Sequence, residues 1–325
     1  MEQATLEINR LCVSFQTEKG VIRPVNDVSL RVPEGKITGI VGESGCGKSM
    51  TARAVMGLVH APGKVTGGSI RLDGREIAGL PDKEYRRLRG SEVSMIFQEP
   101  MTSLNPVVKV GRQVSEAVLL HSDCSRAEAK ARTLQAFHEV EIPEPETRYD
   151  CYPHQLSGGL RQRVMIAMAM VCRPRLLIAD EPTTALDVTV EAQILSLLEK
   201  LRDAGTSVLI ISHNLGVIAR VCDLVYVMYT GQIVEYGETE VLFKRPVHPY
   251  TRGLFRSVTS LREGGETLQT IPGVVPNLLH LPEGCCFSLR CDRCGASCEG
   301  EMPPMREIEP GHGVRCFLAE KEEGK

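Results

Sequence analysis

Leu6 and Ile8, and further along Val28, Leu30 and Val32, alternate with polar residues on either side of a Lys19-Gly20 turn. A period of two marks half-buried strands, so the chain is predicted to open on β structure. A short apolar run from Ile37 to Val41 ends in Gly42-Glu-Ser-Gly-Cys-Gly-Lys-Ser49 and continues into MTARAVMGL, which is compatible with a helix. From about Pro106 to Pro174 the period lengthens. AEAKARTLQAFHEV repeats its apolar positions at three and four residues and no strong strand signal intervenes, which predicts a helical insert. Strand character returns from Leu176 to Ala179, ending in Asp180-Glu181; a helix is predicted over 189–203; and a strand from Ser207 to Ile211 ends in Ser212-His213. Strands alternating with helices imply a mainly parallel α/β sheet. Polar residues gathered at the carboxyl ends of such strands stand where open sheets bind their ligands.

After about residue 260 the helical signal fades, and Pro, Gly and Cys become frequent through Ile271-Pro-Gly-Val-Val-Pro276. The expected organisation is therefore a domain over 1–260, carrying its helical insert at about 106–174, and an extension over 261–325. A chain of 325 residues suits this arrangement and leaves little room for a second domain of the larger size. The net charge is -3 and Lys and Arg are dispersed, so no dense basic block points to nucleic acid. The short cluster Arg86, Arg87, Arg89 reads as a solvated helix face. The longest apolar candidate, Val164 to Val171, is far short of the roughly 18 residues of a membrane span, and the first residues lack the apolar core of a secretory signal. A soluble or peripheral protein inside the cell is expected. There disulfides are disfavoured, yet six of the twelve cysteines lie between Cys285 and Cys316.

The Gly42–Ser49 run has the strand, glycine loop and helix order of a phosphate-binding loop. Gly42, Ser44, Gly45, Cys46 and Gly47 would present successive backbone N–H groups to an anion, Lys48 would add a cation, and the Ser49 hydroxyl would ligate Mg²⁺. The helix opening with Ser49 and Met50 would aim its N-terminus at the same anion. Asp180, ending an apolar strand, suits a hold on Mg²⁺, and Glu181 beside it could orient and deprotonate an attacking water. An acidic pair at a strand end can also simply cap the next helix. Gln98, following VSMIF, can reach both metal and water, and His213 can donate to a γ-phosphate without being the base. Ser157-Gly158-Gly159 opens another helix, a second candidate anion site.

Taken in order, GESGCGKS, Gln98, LSGG, LLIADE, Ala185-Leu186-Asp187 and His213 resemble an ABC ATPase cassette over roughly residues 5–255. The resemblance implies a P-loop NTPase α/β fold, with a mainly parallel sheet core, an N-terminal antiparallel β subdomain and a helical subdomain, followed by a small C-terminal Cys-rich module. It also implies ATP hydrolysis in a head-to-tail pair of cassettes. In that pairing Ser157 and Gly159 reach the γ-phosphate held by the partner, and Asp187 communicates across the interface. Leu160 departs from the family, where Gln is common. Phe15 could stack on adenine or pack in the core.

Phe97-Gln-Glu-Pro-Met-Thr-Ser-Leu-Asn-Pro106, Tyr152-Pro-His-Gln-Leu156 and His248-Pro-Tyr-Thr251 are similar to stretches of peptide and nickel importer ATPases. This branch implies two membrane permease subunits, a second ABC ATPase subunit and, indirectly, an extracytoplasmic substrate-binding protein. It places the chain on the cytoplasmic face of the membrane, powering uptake of di- or oligopeptides, with nickel or another small solute as the alternative cargo. A soluble ABC-type ATPase acting on nucleic acid is the rival class; it usually carries coiled coils or two cassettes, and neither is evident. The tail resembles the C-terminal extension of dipeptide and oligopeptide ATPases, in which the cysteines matching Cys285, Cys291, Cys298 and Cys316 hold a [4Fe-4S] cluster. Four thiolates suit Zn²⁺ as well, and Cys291-x-x-Cys294 fits a zinc knuckle.

Overall fold

A computed structural model describes residues 3–98, 103–184, 187–262 and 271–319, with the side chains of 257–262 left aside. The described residues fall into two compact units. One is drawn from Leu80–Ile211, Pro33–Lys36 and the residues up to Thr5; the other from Leu6–Val32, Ile37–Gly79 and the residues from Ser212 onward.

The second of these units begins with strands β1 (Ala4–Thr17), β2 (Gly20–Pro33), β3 (Ile37–Val41), β4 (Gly63–Leu72) and β5 (Arg75–Glu76). β2, β1, β4 and β5 form a four-stranded sheet in that order, with β1 antiparallel to β4 from Leu6 opposite Leu72 to Phe15 opposite Gly63. The alternation read from the sequence is the burial pattern: Leu6, Ile8, Leu11 and Val13 are buried, as are Val28, Leu30 and Val32. β3 is buried at all five positions, so its apolar run is continuous, as a strand covered on both faces requires.

The other unit carries β6 (Val93–Ile96), β7 (Leu176–Asp180) and β8 (Ser207–Ile211), parallel neighbours in the order β6-β7-β8. Between β6 and β7 lie the helices Val110–His121, Arg126–Glu139, Pro145–Tyr149 and Gly158–Met170. The second opens on a capping box, Ser125 accepting from the Glu128 N–H while the Glu128 side chain accepts from Ser125. The helix Val188–Asp203 leads from β7 towards β8.

The unit that begins with β1 then resumes. β9 (Leu224–Tyr229) runs parallel to β3 and antiparallel to β10 (Gln232–Glu238), and the extension adds β11 (Arg306–Glu309) and β12 (His312–Val314), with β12 antiparallel to β10. A buried polar hub joins these pieces. Glu235 of β10 accepts from the backbone N–H groups of Val247 and His248 at 2.8 and 2.9 Å, and pairs with His312 Nε2 of β12 at 2.9 Å. Burial drives His248 down to about 4, so it is neutral, and its Nδ1 accepts the Tyr250 N–H. No described helix is long and apolar enough to cross a membrane.

Candidate active site

The phosphate loop is made of backbone. Gly42, Gly45 and Gly47 adopt φ of 152°, 77° and 111°, which side chains resist. At two of the three, space forbids them as well: a Cβ on Gly42 would lie 2.1 Å from the Met228 carbonyl oxygen, and one on Gly47 would lie 2.0 Å from that of Pro24. The helix Lys48–Val55 starts directly behind the loop. Lys48 is buried, and its Nζ donates to the carbonyls of Gly42 at 2.7 Å and Glu43 at 3.0 Å. An ammonium held by two carbonyls beside bent N–H groups is a ready cation for a polyphosphate. Ser44 and Gly45 are exposed, Ser49 and Met50 half-buried. Cys46 is buried, and burial raises its thiol above its usual range despite the opposing pull of Lys48.

Side chains, by contrast, build the end of β7. Asp180 is buried as the last residue of the strand. Glu181 follows with φ +48°, a left-handed conformation that costs a non-glycine residue energy and recurs at functional sites. Its N–H is held by the Ile211 carbonyl at 2.9 Å. Its Oε2 accepts from Gln98 Nε2 at 3.0 Å and from Thr184 Oγ1 at 2.9 Å. Two donors on one oxygen fix the carboxylate's orientation.

In the same unit Ser157 caps the helix Gly158–Met170, accepting from the Leu160 N–H, and Gly158 and Gly159 form its first turn. Arg161 Nε donates to the carbonyls of Pro153 and Leu156 at 2.8 and 3.0 Å, which ties that helix start to the Tyr152–Leu156 stretch. Asp187 is the N-cap of Val188–Asp203, accepting from the Val190 N–H at 2.9 Å. Its neighbours Ala185 and Leu186, and residues 99–102 of the Phe97–Pro106 stretch, lie outside the described residues. In the unit holding the phosphate loop, His213 is exposed just beyond β8, and Phe15 is half-buried at the end of β1, where a Cβ on Gly63 would strike its ring at 2.5 Å.

Sequence reasoning passed over Thr184, Glu43, Tyr250 and Arg290. The Tyr250 hydroxyl accepts the Glu43 N–H at 2.9 Å, and Arg290 pairs with the Glu43 carboxylate at 2.7 Å. Tyr250 stood inside the quoted His248–Thr251 stretch and Arg290 beside Cys291, so their positions were visible; their reach to the phosphate loop follows only from folding.

The cysteines of the extension are free thiols. Cys285 and Cys298 are buried, and Cys291 and Cys316 half-buried. Burial pushes Cys285 up to about 12, with the thiols of Cys286, Cys298 and Cys316 adding to the rise. Burial also raises Cys291 and Cys316, and Cys298 adds to the rise of each. Cys298 and Cys316 thus lie within electrostatic reach of both Cys285 and Cys291. Among the described residues, however, no group of three or more His, Cys, Asp or Glu is arranged to hold a metal ion. Cys286 turns aside, its thiol donating to Gln232 Oε1 at 3.9 Å.

Comparison with known proteins completes the picture. Residues 25–184 match the ABC transporter family, and residues 234–298 match the oligopeptide/dipeptide transporter C-terminal region. The dimeric structure of MJ0796, a bacterial ABC transporter cassette, aligns with a TM-score of 0.66 at 27% identity, covering 72% of this chain and 98% of that one. The post-hydrolysis state of the same cassette, bound to ADP and Pi, aligns with a TM-score of 0.66 at 26% identity, covering 72% of this chain and 98% of that one. The oligopeptide transport ATP-binding protein OppD of Escherichia coli is 50% identical over 97% of this chain and 93% of its own length. Its counterpart in Haemophilus influenzae is 48% identical over 97% of both chains. With the phosphate loop and the acidic end of β7 both formed, and likeness of this extent across almost the whole sequence, the chain belongs to the ATP-binding proteins of the oligopeptide/dipeptide ABC transporter family.

Proposed function

We propose that this chain binds and hydrolyses ATP to power oligopeptide import, as a peripheral subunit on the cytoplasmic face of a membrane. The observation that carries the reading is the 50% identity to an oligopeptide transport ATP-binding protein across 97% of the chain. In this reading 1–260 is the cassette, with its helical subdomain at about 106–174, and 261–325 is the extension. Gly42, Ser44, Gly45, Cys46, Gly47 and Lys48 hold the phosphates, with Ser49 and Met50 opening the helix behind them. Ser49, Gln98 and Asp180 are all oxygen donors, the chemistry that suits Mg²⁺, and that ion supplies neutralisation of the charge on the transferred phosphoryl group. Glu181, oriented by Gln98 and Thr184, takes the proton of the attacking water, and His213 donates to the γ-phosphate. Ser157, Gly158 and Gly159 serve the nucleotide of a partnering cassette, Asp187 carries the signal between cassettes, and Phe15 stacks on adenine.

The partners are two membrane permease subunits, a second ATPase subunit and, indirectly, an extracytoplasmic substrate-binding protein. Copurification tests this directly. The chain should carry permease subunits with it in detergent and lose them when residues 99–106 are replaced by a glycine-serine segment. ATPase activity stimulated by DNA or RNA, with no permease bound, would overturn the transport reading.

For the extension, Cys285, Cys291, Cys298 and Cys316 are the thiols that would hold a [4Fe-4S] cluster, whose iron–thiolate bonds would staple the segment. What supports this is their mutual electrostatic influence and their concentration in a chain that otherwise scatters its cysteines. Protein purified without oxygen should contain about four iron and four sulfide and absorb broadly near about 400 nm. One zinc and no colour would reassign the segment to structural zinc.

A further inference from the structure

Arg290 belongs to the cysteine-rich extension, in the short 3-10 turn Ser288–Arg290 that runs into Cys291, yet its guanidinium meets the phosphate loop. Its side chain is only 3% exposed. Nη1 donates to Glu43 Oε2 at 2.7 Å and Nη2 to Glu43 Oε1 at 3.1 Å, a fork-to-fork pair. Its remaining N–H groups are placed too. Nε donates to the Pro272 carbonyl at 3.1 Å, Nη2 to that of Ile271 at 3.2 Å, and Nη1 to the Tyr229 hydroxyl at 3.5 Å. Gly273, at φ +83°, lets the backbone come so near that a Cβ there would lie 3.1 Å from Arg290 Cγ. Residues 271–273 of the extension close around this one side chain.

Glu43 is the second residue of the phosphate loop. The cradle uses its backbone: its carbonyl holds Lys48 Nζ at 3.0 Å and its N–H is held by Tyr250 at 2.9 Å. The carboxylate has no part in that cradle and is spent on Arg290. Tyr229, Tyr250 and Phe287 pack together beneath the pair, with ring centroids 4.6 to 5.5 Å apart. The loop residue that positions Lys48 is thus fixed through its carboxylate by the extension and through its amide by the His248–Thr251 stretch.

We infer that Arg290 is a positioning residue for nucleotide binding: its buried pair with Glu43 holds the phosphate loop in the form that accepts ATP and makes ATP affinity depend on the cysteine-rich extension. The inference rests on the loop being the ATP site. A pair that merely stabilised the fold would lower the melting temperature and leave the affinity of the folded protein untouched. A brace instead raises the Kd and KM for ATP of the folded protein and spares kcat at saturation.

The test uses the full-length chain with Mg-ATP and compares Glu43→Gln, Arg290→Gln, Arg290→Lys, the Glu43→Gln/Arg290→Gln double variant and Lys48→Ala. Glu43→Gln alters only a partly exposed carboxylate and is the variant that keeps its fold if Arg290→Gln does not. Each single loss should raise the Kd for ATP about tenfold, the weight of a charge-assisted pair, with kcat within about twofold. The double variant should be no weaker than Arg290→Gln, and Arg290→Lys should recover part of the affinity. Hydrogen exchange in the peptide covering 40–50 should be faster in Arg290→Gln without nucleotide. Wild-type affinity in Glu43→Gln, fully additive effects, or unchanged exchange would each overturn the inference. Lys48→Ala tells the two failures apart. If it loses ATP while the Glu43 and Arg290 variants bind normally, the brace alone falls; if it too binds normally, the loop is not the ATP site.

Discussion

The phosphate loop and the end of β7 reach their chemistry by opposite means. At residues 42–48 main-chain groups are joined by one ammonium, that of Lys48, and Gly42 and Gly47 admit no Cβ, while Ser44 stands exposed. At residues 180–184 the main chain is strained to present one carboxylate, and that carboxylate is aimed by two side-chain donors, Gln98 and Thr184. A backbone cradle recognises charge and shape and binds phosphate whether or not anything reacts. An oriented carboxylate contributes little to binding and acts on a proton. Under the proposed function, affinity and turnover belong to different stretches of the chain, and substitutions should separate them.

The sharpest separation is expected at Glu181. Glu181→Gln keeps the shape and the bond to Thr184 but removes the base, so turnover should fall about a thousandfold, within the range for general base loss, while ATP affinity stays within about twofold. Steady-state ATPase rates beside equilibrium ATP binding measure both, and retained turnover would assign the role of base to some other group. Lys48→Ala should do the reverse. Loss of a cation facing the phosphates should weaken ATP binding about a hundredfold. Calorimetry with ATP reads this directly, and full affinity would place the ATP site elsewhere than this loop.

The smallest effect concerns what supports the cradle from below. His248, neutral and buried, accepts the Tyr250 N–H, and the Tyr250 hydroxyl in turn holds Glu43. Its folded pKa of about 4 lies below the ordinary histidine value, so between the two the unfolded chain binds the extra proton. Its contribution to stability is complete above about pH 6.5 and is lost as pH falls towards 4. Between pH 7 and pH 5 the loss from this group should be about 2 kcal/mol. Urea midpoints across that range should fall in the wild type and fall less in His248→Asn; an equal slope in both would assign the pH dependence to other groups.

Much of this was legible in advance because it is local. The alternation of Leu6, Ile8, Val28, Leu30 and Val32 appears unchanged as burial, since a strand's faces follow directly from residue parity. The phosphate loop was legible for a similar reason: glycine spacing dictates backbone curvature, and the lysine and serine follow at set positions. Asp180 and Glu181 could be located at a strand's end, but the two donors that aim Glu181 could not all be named. Gln98 lies 83 positions before Glu181. Thr184 is close in sequence yet is brought to the carboxylate by the turn that follows Glu181, itself at φ +48°. The strands β11 and β12 were missed entirely, because four- and three-residue strands carry too little pattern to register until β10 offers them an edge.

The sequence by itself determined the chemistry available: a phosphate loop, an acidic strand end, a capped helix start at Ser157 and a set of thiols in the extension. It determined the family as well, because those motifs recur in order. Tertiary structure alone decided which residues hold the machinery in place. Arg290 meets Glu43 across 247 positions, and Glu235 gathers His312 and the His248 stretch into one buried hub. Such pairs leave no periodic trace in the sequence. Burial makes them obligatory, since a guanidinium or carboxylate removed from water must find its partner inside the fold, and only the folded chain shows which partner is within reach.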